Sequence, residues 1–166
     1  MKMVYLLEDD LDLSMIVSEF LTSSNFLVKT FSDYRLFFDA IRAQKPDIIL
    51  LDLMLPNIDG VEVLKYVKSN LVMHNIPLIV VSGLSNEEEK VLCLDLGADD
   101  YIAKPFRPRE LVSRIKNILR LTGNTGAIIQ LGDVQVDTVK GTAKKQGQDL
   151  YLSALEYRLL LAFINH

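Results

Sequence analysis

Five chemically reactive side chains follow short apolar segments of this sequence. The acidic pair Glu8-Asp9 follows the first segment, Asp52 follows a second, and Ser82 and Lys104 follow two others. Buried parallel strands are typically short apolar runs, and α/β proteins place their sites just beyond the carboxyl ends of such strands. If the runs pair in one sheet, we expect three carboxylates, a hydroxyl and an ammonium group to meet at one edge.

Phosphoryl transfer to a carboxylate is the chemistry that this cluster could support. Asp52, taken as the central group, can attack phosphorus and form an acyl phosphate. The attack brings two anions together, so a divalent cation must bridge them, and Mg²⁺ suits carboxylate and phosphate oxygens. Asp9 is the best candidate for direct ligation, with Glu8 binding directly or through a water. Lys104 would neutralise one phosphoryl oxygen, and Ser82 would donate a hydrogen bond to another.

Each of these residues also has a structural explanation when it is considered alone. Acidic residues after strands often cap the next helix, and Asp10 or Asp12 could cap the first helix here. The occurrence of all the reactive groups at the same end of predicted strands favours a functional site instead.

The elements that must position the cluster alternate along residues 1–121. Apolar runs predict strands at residues 3–7, 26–31, 48–51, 77–81 and 101–103. Apolar residues three and four positions apart predict the intervening helices, and the first of these stripes contains Leu13, Ile16, Val17, Phe20 and Leu21. This alternation predicts an α/β fold with a five-stranded parallel sheet, doubly wound so that helices cover both faces.

Several helix ends can also be predicted. Gly97 should end the fourth helix in a left-handed conformation, and Pro108 should be the first residue of the fifth. Ser32 is predicted to cap the second helix, whose inward face would contain Leu36, Phe37, Ala40 and Ile41.

The pattern changes after residue 121. Residues 122–127 have the composition of a linker, and the short strand candidates beyond them are separated by glycine-containing turns, which predicts a small antiparallel sheet. Ser153 and Glu156 have the spacing of a capping box. They predict one final helix, which would bury Leu155, Leu159, Leu160, Phe163 and Ile164.

Composition narrows the class of protein. The chain has 166 residues and a formal net charge of -4, without the basic excess typical of nucleic-acid-binding domains. No apolar run approaches the roughly 18 residues of a membrane span, and no signal peptide is evident. The single Cys93 excludes an intramolecular disulfide. These features predict a cytoplasmic protein that does not associate with membranes.

The residues and their order resemble the receiver domains of two-component response regulators. The matching motifs lie within residues 1–121 and comprise Glu8-Asp9-Asp10, residues 50–56, Asp59-Gly60, Val81-Ser82-Gly83 and residues 97–106. The resemblance implies a flavodoxin-like fold, phosphorylation of Asp52 by a sensor histidine kinase, and a cis peptide between Lys104 and Pro105. It also implies that Lys104 contacts the phosphoryl group and that Mg²⁺ is held by Glu8, Asp9, Asp52 and the backbone carbonyl of Met54.

The same resemblance implies a switch and a dimer. The Ser82 hydroxyl would move toward the phosphoryl group, and the Tyr101 ring would turn inward behind it. Two copies would pair through the fourth helix, the fifth strand and the fifth helix, where the interface charges would be Lys90, Asp99, Asp100, Glu110 and Arg114.

The end of the chain resembles the opening of the winged-helix effector domain of the OmpR/PhoB family, through residues 132–137 and 152–160. This implies a receiver domain at 1–121, a linker at 122–127, and an incomplete winged-helix DNA-binding domain at 128–166. In that family the recognition helix and wing would lie beyond His166, so we expect promoter DNA binding, and hence transcription control, only from a longer form.

Two alternatives remain open at this point. A phosphatase could use an aspartyl-phosphate intermediate, but haloacid-dehalogenase-type enzymes have a second Asp where this chain has Met54, so we do not expect a turnover enzyme. A receiver could also signal through protein contacts without phosphorylation, which the intact Glu8, Asp9, Asp52 and Lys104 set disfavours.

Overall fold

The computed structural model describes residues 1–83, 86–123, 128–137 and 141–164. The chain divides into two compact units, Met1–Lys116 and Asn117–His166. Strands and helices alternate from the start of the chain, as β1 (Lys2–Leu7), α1 (Leu11–Ser23), β2 (Phe26–Phe31), α2 (Tyr34–Ala43), β3 (Ile48–Leu51), α3 (Gly60–Ser69), β4 (Leu78–Ser82), α4 (Glu87–Asp95), β5 (Asp100–Ala103) and α5 (Pro108–Gly123).

The described strands of the first unit form one parallel sheet in the order β2-β1-β3-β4-β5. This confirms the α/β prediction. Every residue of β3 and β4 is buried, as expected for strands covered on both faces. The chain reverses its winding direction between the neighbouring strands β1 and β3, and open α/β sheets bind ligands in the crevice at that point.

The main hydrophobic core joins one face of this sheet to α2, α3 and α4. Tyr5, Leu7 and Leu51 contribute from the strands, and Phe37 and Leu64 contribute from the helices. All five side chains have no solvent exposure. The core therefore holds the carboxyl ends of β1 and β3 rigidly in place.

The structure corrects two predictions about α2. The helix is capped by Asp33 rather than Ser32, since the Asp33 carboxylate accepts a hydrogen bond from the Arg35 amide at 2.7 Å. Leu36, predicted to face inward, is 64% exposed, and Phe38 is buried instead. The Phe38 ring packs edge-to-face against Tyr66 of α3, with 4.8 Å between ring centroids, so this position of α2 has a partner on another helix.

The face of α1 also differs from its predicted stripe. Val17 and Leu21 are buried, but Ile16 is 55% exposed, and Ser14 occupies an inward position. Asp10 caps α1 by accepting a hydrogen bond from the Leu13 amide at 3.0 Å, so the structural explanation of this acidic residue is confirmed.

Other local predictions are confirmed. Gly97 has φ 106°, in the left-handed region that glycine tolerates, and it follows the end of α4. Pro108 is the first residue of α5, and the Lys104–Pro105 peptide is cis. No described helix is both long enough and apolar enough to cross a membrane.

The described part of the second unit contains a four-stranded antiparallel sheet, in which each strand pairs with the next one along the chain, followed by a helix. These elements are β6 (Ile128–Leu131), β7 (Val134–Asp137), β8 (Thr142–Lys145), β9 (Gln148–Leu150) and α6 (Ala154–Ile164). The predicted capping box is present, because the Ser153 amide donates to Glu156 Oε2 at 2.8 Å and the Glu156 amide donates to Ser153 Oγ at 3.3 Å.

Two predictions for this unit differ from the structure. Thr122 and Gly123, assigned to the linker, belong to α5, and the remaining linker residues 124–127 lie outside the described residues, as does His166. Leu155, Leu159 and Phe163, predicted to be buried by the last helix, are 49%, 52% and 80% exposed. The short sheet strands described here do not cover this face of α6.

Candidate functional site

The register of the sheet brings the ends of β1 and β3 to the same level. Leu7 pairs with Leu51, and the Asp52 amide donates a hydrogen bond to the Leu7 carbonyl at 2.9 Å. Glu8 and Asp52 therefore leave the sheet side by side, at the point where the winding reverses. On the other side of β3, Ser82 ends β4 opposite Ala103, the residue before Lys104.

Lys104 joins the two carboxylates. Its Nζ lies 2.7 Å from Glu8 Oε2 and 2.7 Å from Asp52 Oδ2. Glu8 and Asp52 are each only 3% exposed, so these contacts compensate charges that burial would otherwise make costly. Three of the five groups that were predicted to meet, Glu8, Asp52 and Lys104, are thus in direct contact in the structure.

Asp9 completes an acidic cluster with these two residues. One carboxylate oxygen each from Glu8, Asp9 and Asp52 lies within 4.8 Å of the others, and Asp9 is the most accessible of the three. The three carboxylates face one ammonium group, so with all of them ionised two negative charges stay uncompensated within the cluster. A hard divalent cation with oxygen ligands fits both this charge and this donor set.

The backbone after β3 orients Asp52. Asp52 Oδ1 accepts a hydrogen bond from the Met54 amide at 3.1 Å, which leaves Oδ2 to Lys104. The loop closes on itself because Met54 forms a β-bridge with Asp59, and the Leu53 carbonyl accepts a hydrogen bond from the Gly60 amide at 3.1 Å. The role that the sequence analysis assigned to the Met54 carbonyl stays a prediction.

Ser82 and Tyr101, the two predicted switch residues, are in contact. Ser82 has no solvent exposure and Tyr101 is 6% exposed, and their side chains share a hydrogen bond. Burial raises the pKa of the Tyr101 phenol, and the bond to Ser82 opposes that rise. The Tyr101 ring is therefore inside the core, behind the end of β4.

Burial and the shared ammonium group act in opposite directions on the acid–base properties of the site. Burial raises the pKa of Glu8 and the Asp52 carboxylate raises it further, while the hydrogen bond from Lys104 opposes both. Burial by itself would lower the pKa of Lys104, but hydrogen bonds to Asp52 and Glu8 outweigh it, so that pKa is raised. Lys104 consequently stays charged at neutral pH, whereas Glu8 takes up a proton more readily than an exposed glutamate does.

A Glu8→Gln variant should therefore gain stability relative to wild type as pH rises. The folded-state pKa of Glu8 is above its unfolded value of 4.5, so unfolding releases a proton between these two values and wild-type stability falls as pH rises through that window. Glutamine resembles the protonated acid and lacks this penalty. Chemical denaturation in a chelating buffer, at pH 4 and at steps up to pH 8, measures the difference.

Glu19→Gln, on the exposed face of α1, is the matched control for losing one negative charge. A Glu8→Gln variant that loses stability relative to wild type as pH rises would contradict the prediction.

The five predicted interface charges fall into separate groups. Arg114 contacts Asp100 Oδ2 and Glu110 Oε1, each at 2.8 Å, so three of them form one network along β5 and α5. Lys90 is exposed on α4. The Asp99 carboxylate points into its own protomer, where Oδ2 contacts Lys68 Nζ at 2.9 Å and accepts a hydrogen bond from the Leu78 amide at 2.8 Å.

An apolar groove that the residue pattern did not predict lies beside the site. The groove has a volume of about 390 Å³ and lies between α1 and the residues that follow β5. Leu13, Ile16 and Phe106 line it, and Lys104 and Asp10 line it where it meets the acidic cluster. Leu13 and Ile16 had been assigned to the core because their spacing matched an inward stripe, and spacing cannot show where a helix lacks a partner.

Comparison with known proteins assigns the first part of the chain to a family. Residues 4–116 match the family described as the response regulator receiver domain. The transcriptional regulatory protein GltR of Pseudomonas aeruginosa is 32% identical, over 98% of this chain and 69% of that protein. The phosphate regulon transcriptional regulatory protein PhoB of the same organism is 41% identical, over 74% of this chain and 55% of that protein.

Solved structures agree with this assignment. The response regulator DrrB of Thermotoga maritima, described as an OmpR/PhoB homolog, superposes with a TM-score of 0.66 and 28% sequence identity. The superposition covers 98% of this chain and 71% of DrrB. The likeness therefore includes both the parallel sheet and residues beyond it.

Proposed function

This chain belongs to the response regulators of two-component systems, of the OmpR/PhoB type, and from that premise we propose that Asp52 is a Mg²⁺-dependent phosphoacceptor. The observation that carries the proposal is the contact of Lys104 with both Glu8 and Asp52, inside an acidic cluster at the point where the sheet reverses its winding. Members of this family are signalling proteins, and we propose no turnover of external substrates.

The residues of the site have distinct tasks in the proposed reaction, and Asp52 has two, as nucleophile and as metal ligand. An Asp52 carboxylate oxygen forms a bond to phosphorus as the bond from phosphorus to a kinase histidine nitrogen breaks, and the imidazole leaves. Glu8, Asp9, Asp52 and the Met54 carbonyl would hold Mg²⁺, which would supply the positive charge that lets two anions approach each other. Lys104 contacts another phosphoryl oxygen as a compact positive charge.

Ser82 and Tyr101 would transmit the effect of Asp52 phosphorylation to the protein surface. A new dianion at Asp52 attracts the Ser82 hydroxyl, whose present partners include Tyr101. A change in that hydrogen bond alters the packing of Tyr101 against the core face of α4 and β5. The phosphoryl group thereby biases a two-state element that extends to the dimer surface.

The groove beside the site supports a protein as the phosphodonor. The phosphorylated histidine of a sensor kinase must come within bonding distance of Asp52, so part of the kinase must lie against the surface next to it. Lys104 and Ile16 line the groove, and Ile16 is 55% exposed; Leu11 and Met15, also on α1, are 72% and 57% exposed. We propose that the cognate kinase covers this surface.

The proposed chemistry is tested with the whole chain, without a kinase. Acetyl phosphate should phosphorylate it when Mg²⁺ is present, and phosphorylation should stop when the metal is chelated. Beryllofluoride with Mg²⁺ should change the Ser82 and Tyr101 environment in nuclear magnetic resonance spectra. A chain that takes up no phosphoryl group and responds to neither reagent would exclude the proposal.

The remainder of the chain fits a transcription regulator. GltR and PhoB are named transcriptional regulatory proteins, and we propose a receiver domain that ends within α5, a linker at residues 124–127 and the first part of a winged-helix domain at 128–166. A form that includes the whole effector domain would bind promoter DNA.

We further propose that the phosphorylated receiver pairs with a second copy through α4, β5 and α5. Replacing Arg114 with glutamate reverses the charge at the centre of the network with Asp100 and Glu110. Like charges across an interface cost on the order of a few kcal/mol, so the dimer dissociation constant should rise roughly tenfold or more. Sedimentation velocity with beryllofluoride measures it.

Arg42→Glu on α2 is the control, because Arg42 is also exposed and also pairs with an acid on its own helix. It should leave dimerisation within about twofold of wild type. Equal dimerisation of the Arg114→Glu variant and wild type would exclude this interface.

A further inference from the structure

Gly60, the first residue of α3, lies against the backbone of Asp52 and Leu53. A Cβ atom added to Gly60 would clash with Leu53 Cα, and it would lie 2.7 Å from the Asp52 carbonyl oxygen and 2.8 Å from the Leu53 carbonyl oxygen. All three are backbone atoms, so no side chain can rotate away to make room. Any other residue at position 60 must push the Asp52–Leu53 backbone away from α3.

Backbone conformation does not explain this glycine. Its φ lies outside the left-handed region that Gly97 and Gly132 occupy. Glycine is a poor residue for a helix, and alanine is the best one. The contact with residues 52 and 53 is thus the physical reason for glycine at this position.

The contact between Gly60 and the Asp52–Leu53 backbone directly adjoins Met54, whose carbonyl belongs to the proposed metal site. The Gly60 amide donates to the Leu53 carbonyl, and the next amide along the loop, that of Met54, donates to Asp52 Oδ1. A displacement of Leu53 therefore changes both the orientation of the Asp52 carboxylate and the position of Met54. Small displacements matter, because catalytic groups must be held to within about 0.5 Å of their working geometry.

The other side of the contact cannot easily move. Val63, Leu64 and Val67 of α3 are at most 1% exposed in the main core. Asp59 caps the helix by accepting a hydrogen bond from the Val61 amide at 2.8 Å, which fixes the first turn. The start of α3 is thus a rigid support for the loop.

We propose that Gly60 is a positioning residue for phosphoryl transfer: its bare α-carbon lets α3 hold the Asp52–Leu53 backbone where Asp52 and Met54 can bind Mg²⁺ together. The inference rests on the proposed function of Asp52. It concerns a residue that touches neither the metal nor the phosphoryl group.

Gly60→Ala in the full chain tests the proposal, with Gly83→Ala as the matched control. Among the described residues, a Cβ at Gly83 would meet the Met54 sulfur at 3.6 Å, an ordinary contact, so a methyl group is added near the site without a clash against them. We measure Mg²⁺ affinity by calorimetry, the rate of phosphorylation by acetyl phosphate, and thermal unfolding. Gly60→Ala should weaken Mg²⁺ binding at least tenfold and slow phosphorylation at saturating Mg²⁺ at least tenfold, while Gly83→Ala stays within threefold on both.

The measurements separate positioning from simple destabilisation. A folded Gly60→Ala chain with a lower melting temperature but wild-type Mg²⁺ affinity and phosphorylation rate would overturn the proposal. So would an equal loss in Gly83→Ala, because the effect would then not come from the backbone clash. Failure of the wild-type chain to bind Mg²⁺ or accept a phosphoryl group would instead overturn the proposed function itself.

A second pair of variants applies if Gly60→Ala does not fold. Asp59→Ala removes the cap and loosens the first turn of α3 without a clash, whereas Asp59→Asn keeps a capping side chain and removes the same charge. Positioning by α3 predicts that Mg²⁺ affinity falls severalfold more in Asp59→Ala than in Asp59→Asn. Equal losses would assign the effect to the charge of Asp59 and overturn the proposal.

Discussion

Replacement of Asp52 with alanine should reduce phosphoryl uptake from acetyl phosphate at least 1000-fold, to the background of the assay, because the nucleophile is removed. Asp52 is the acidic residue whose two carboxylate oxygens are held by Lys104 on one side and by the Met54 amide on the other. Glu8 faces the same lysine from the end of β1, and the Asp10 amide donates to its other oxygen at 3.2 Å, so the comparison of variants rather than the hydrogen bonding distinguishes the two carboxylates. Intact mass spectrometry after incubation with acetyl phosphate and Mg²⁺ measures the loss.

The control variants address folding and general charge effects. Asp52→Asn preserves the shape of the side chain and an acceptor for the Met54 amide, so it should fold and also fail to accept a phosphoryl group. Asp12→Ala removes an exposed acid of α1 and should behave as wild type. Uptake by Asp52→Ala within tenfold of wild type would place the acceptor elsewhere in the chain.

Replacement of Lys104 with methionine should have opposite effects on metal binding and on phosphorylation. The ammonium group lies 2.7 Å from an oxygen of each buried carboxylate, so a divalent cation competes with it for the same ligands. Without that competitor, Mg²⁺ affinity should rise severalfold. The phosphorylation rate should nevertheless fall about 100-fold, the usual effect of removing one preorganised group that stabilises charge in a transition state.

Calorimetry with Mg²⁺ and a phosphorylation time course at saturating Mg²⁺ measure the two effects separately. Lys116→Met is the control for removing an exposed positive charge, and it should change neither quantity by more than about twofold. A Lys104→Met chain that lost both Mg²⁺ affinity and phosphorylation would indicate that Lys104 holds the site together rather than neutralising the phosphoryl group.

The parallel sheet, and the reactive groups at one of its edges, could be predicted because both follow from the pattern of apolar and polar residues along the chain. Apolar runs separated by helical stripes leave few arrangements other than a covered parallel sheet, and residues that follow such strands must share an edge. Glu8, Asp52 and Lys104 were placed together on this basis, and the structure brings them within hydrogen-bonding distance.

Predictions about helix faces were less accurate, because spacing shows that a stripe exists but not what it packs against. Ile16 and Leu36 have the spacing of core residues and are more than half exposed. In α2 the buried Phe38 contacts Tyr66, a residue on a different helix that spacing within α2 cannot reveal. The exposed stripe of α6 shows the same limit.

The amino-acid sequence by itself determined the kind of sheet, the order of its elements and the identity of the groups at its edge, since these depend on residue type and period along the chain. Tertiary structure alone decided that Glu8 and Asp52 share the Lys104 ammonium group, that Asp99 turns inward to Lys68, and that a groove lies between α1 and Lys104. It also explained Gly60, a motif residue to which the sequence analysis assigned no task. The reason is physical: these features are distances between atoms far apart in the chain, and the core packing sets those distances.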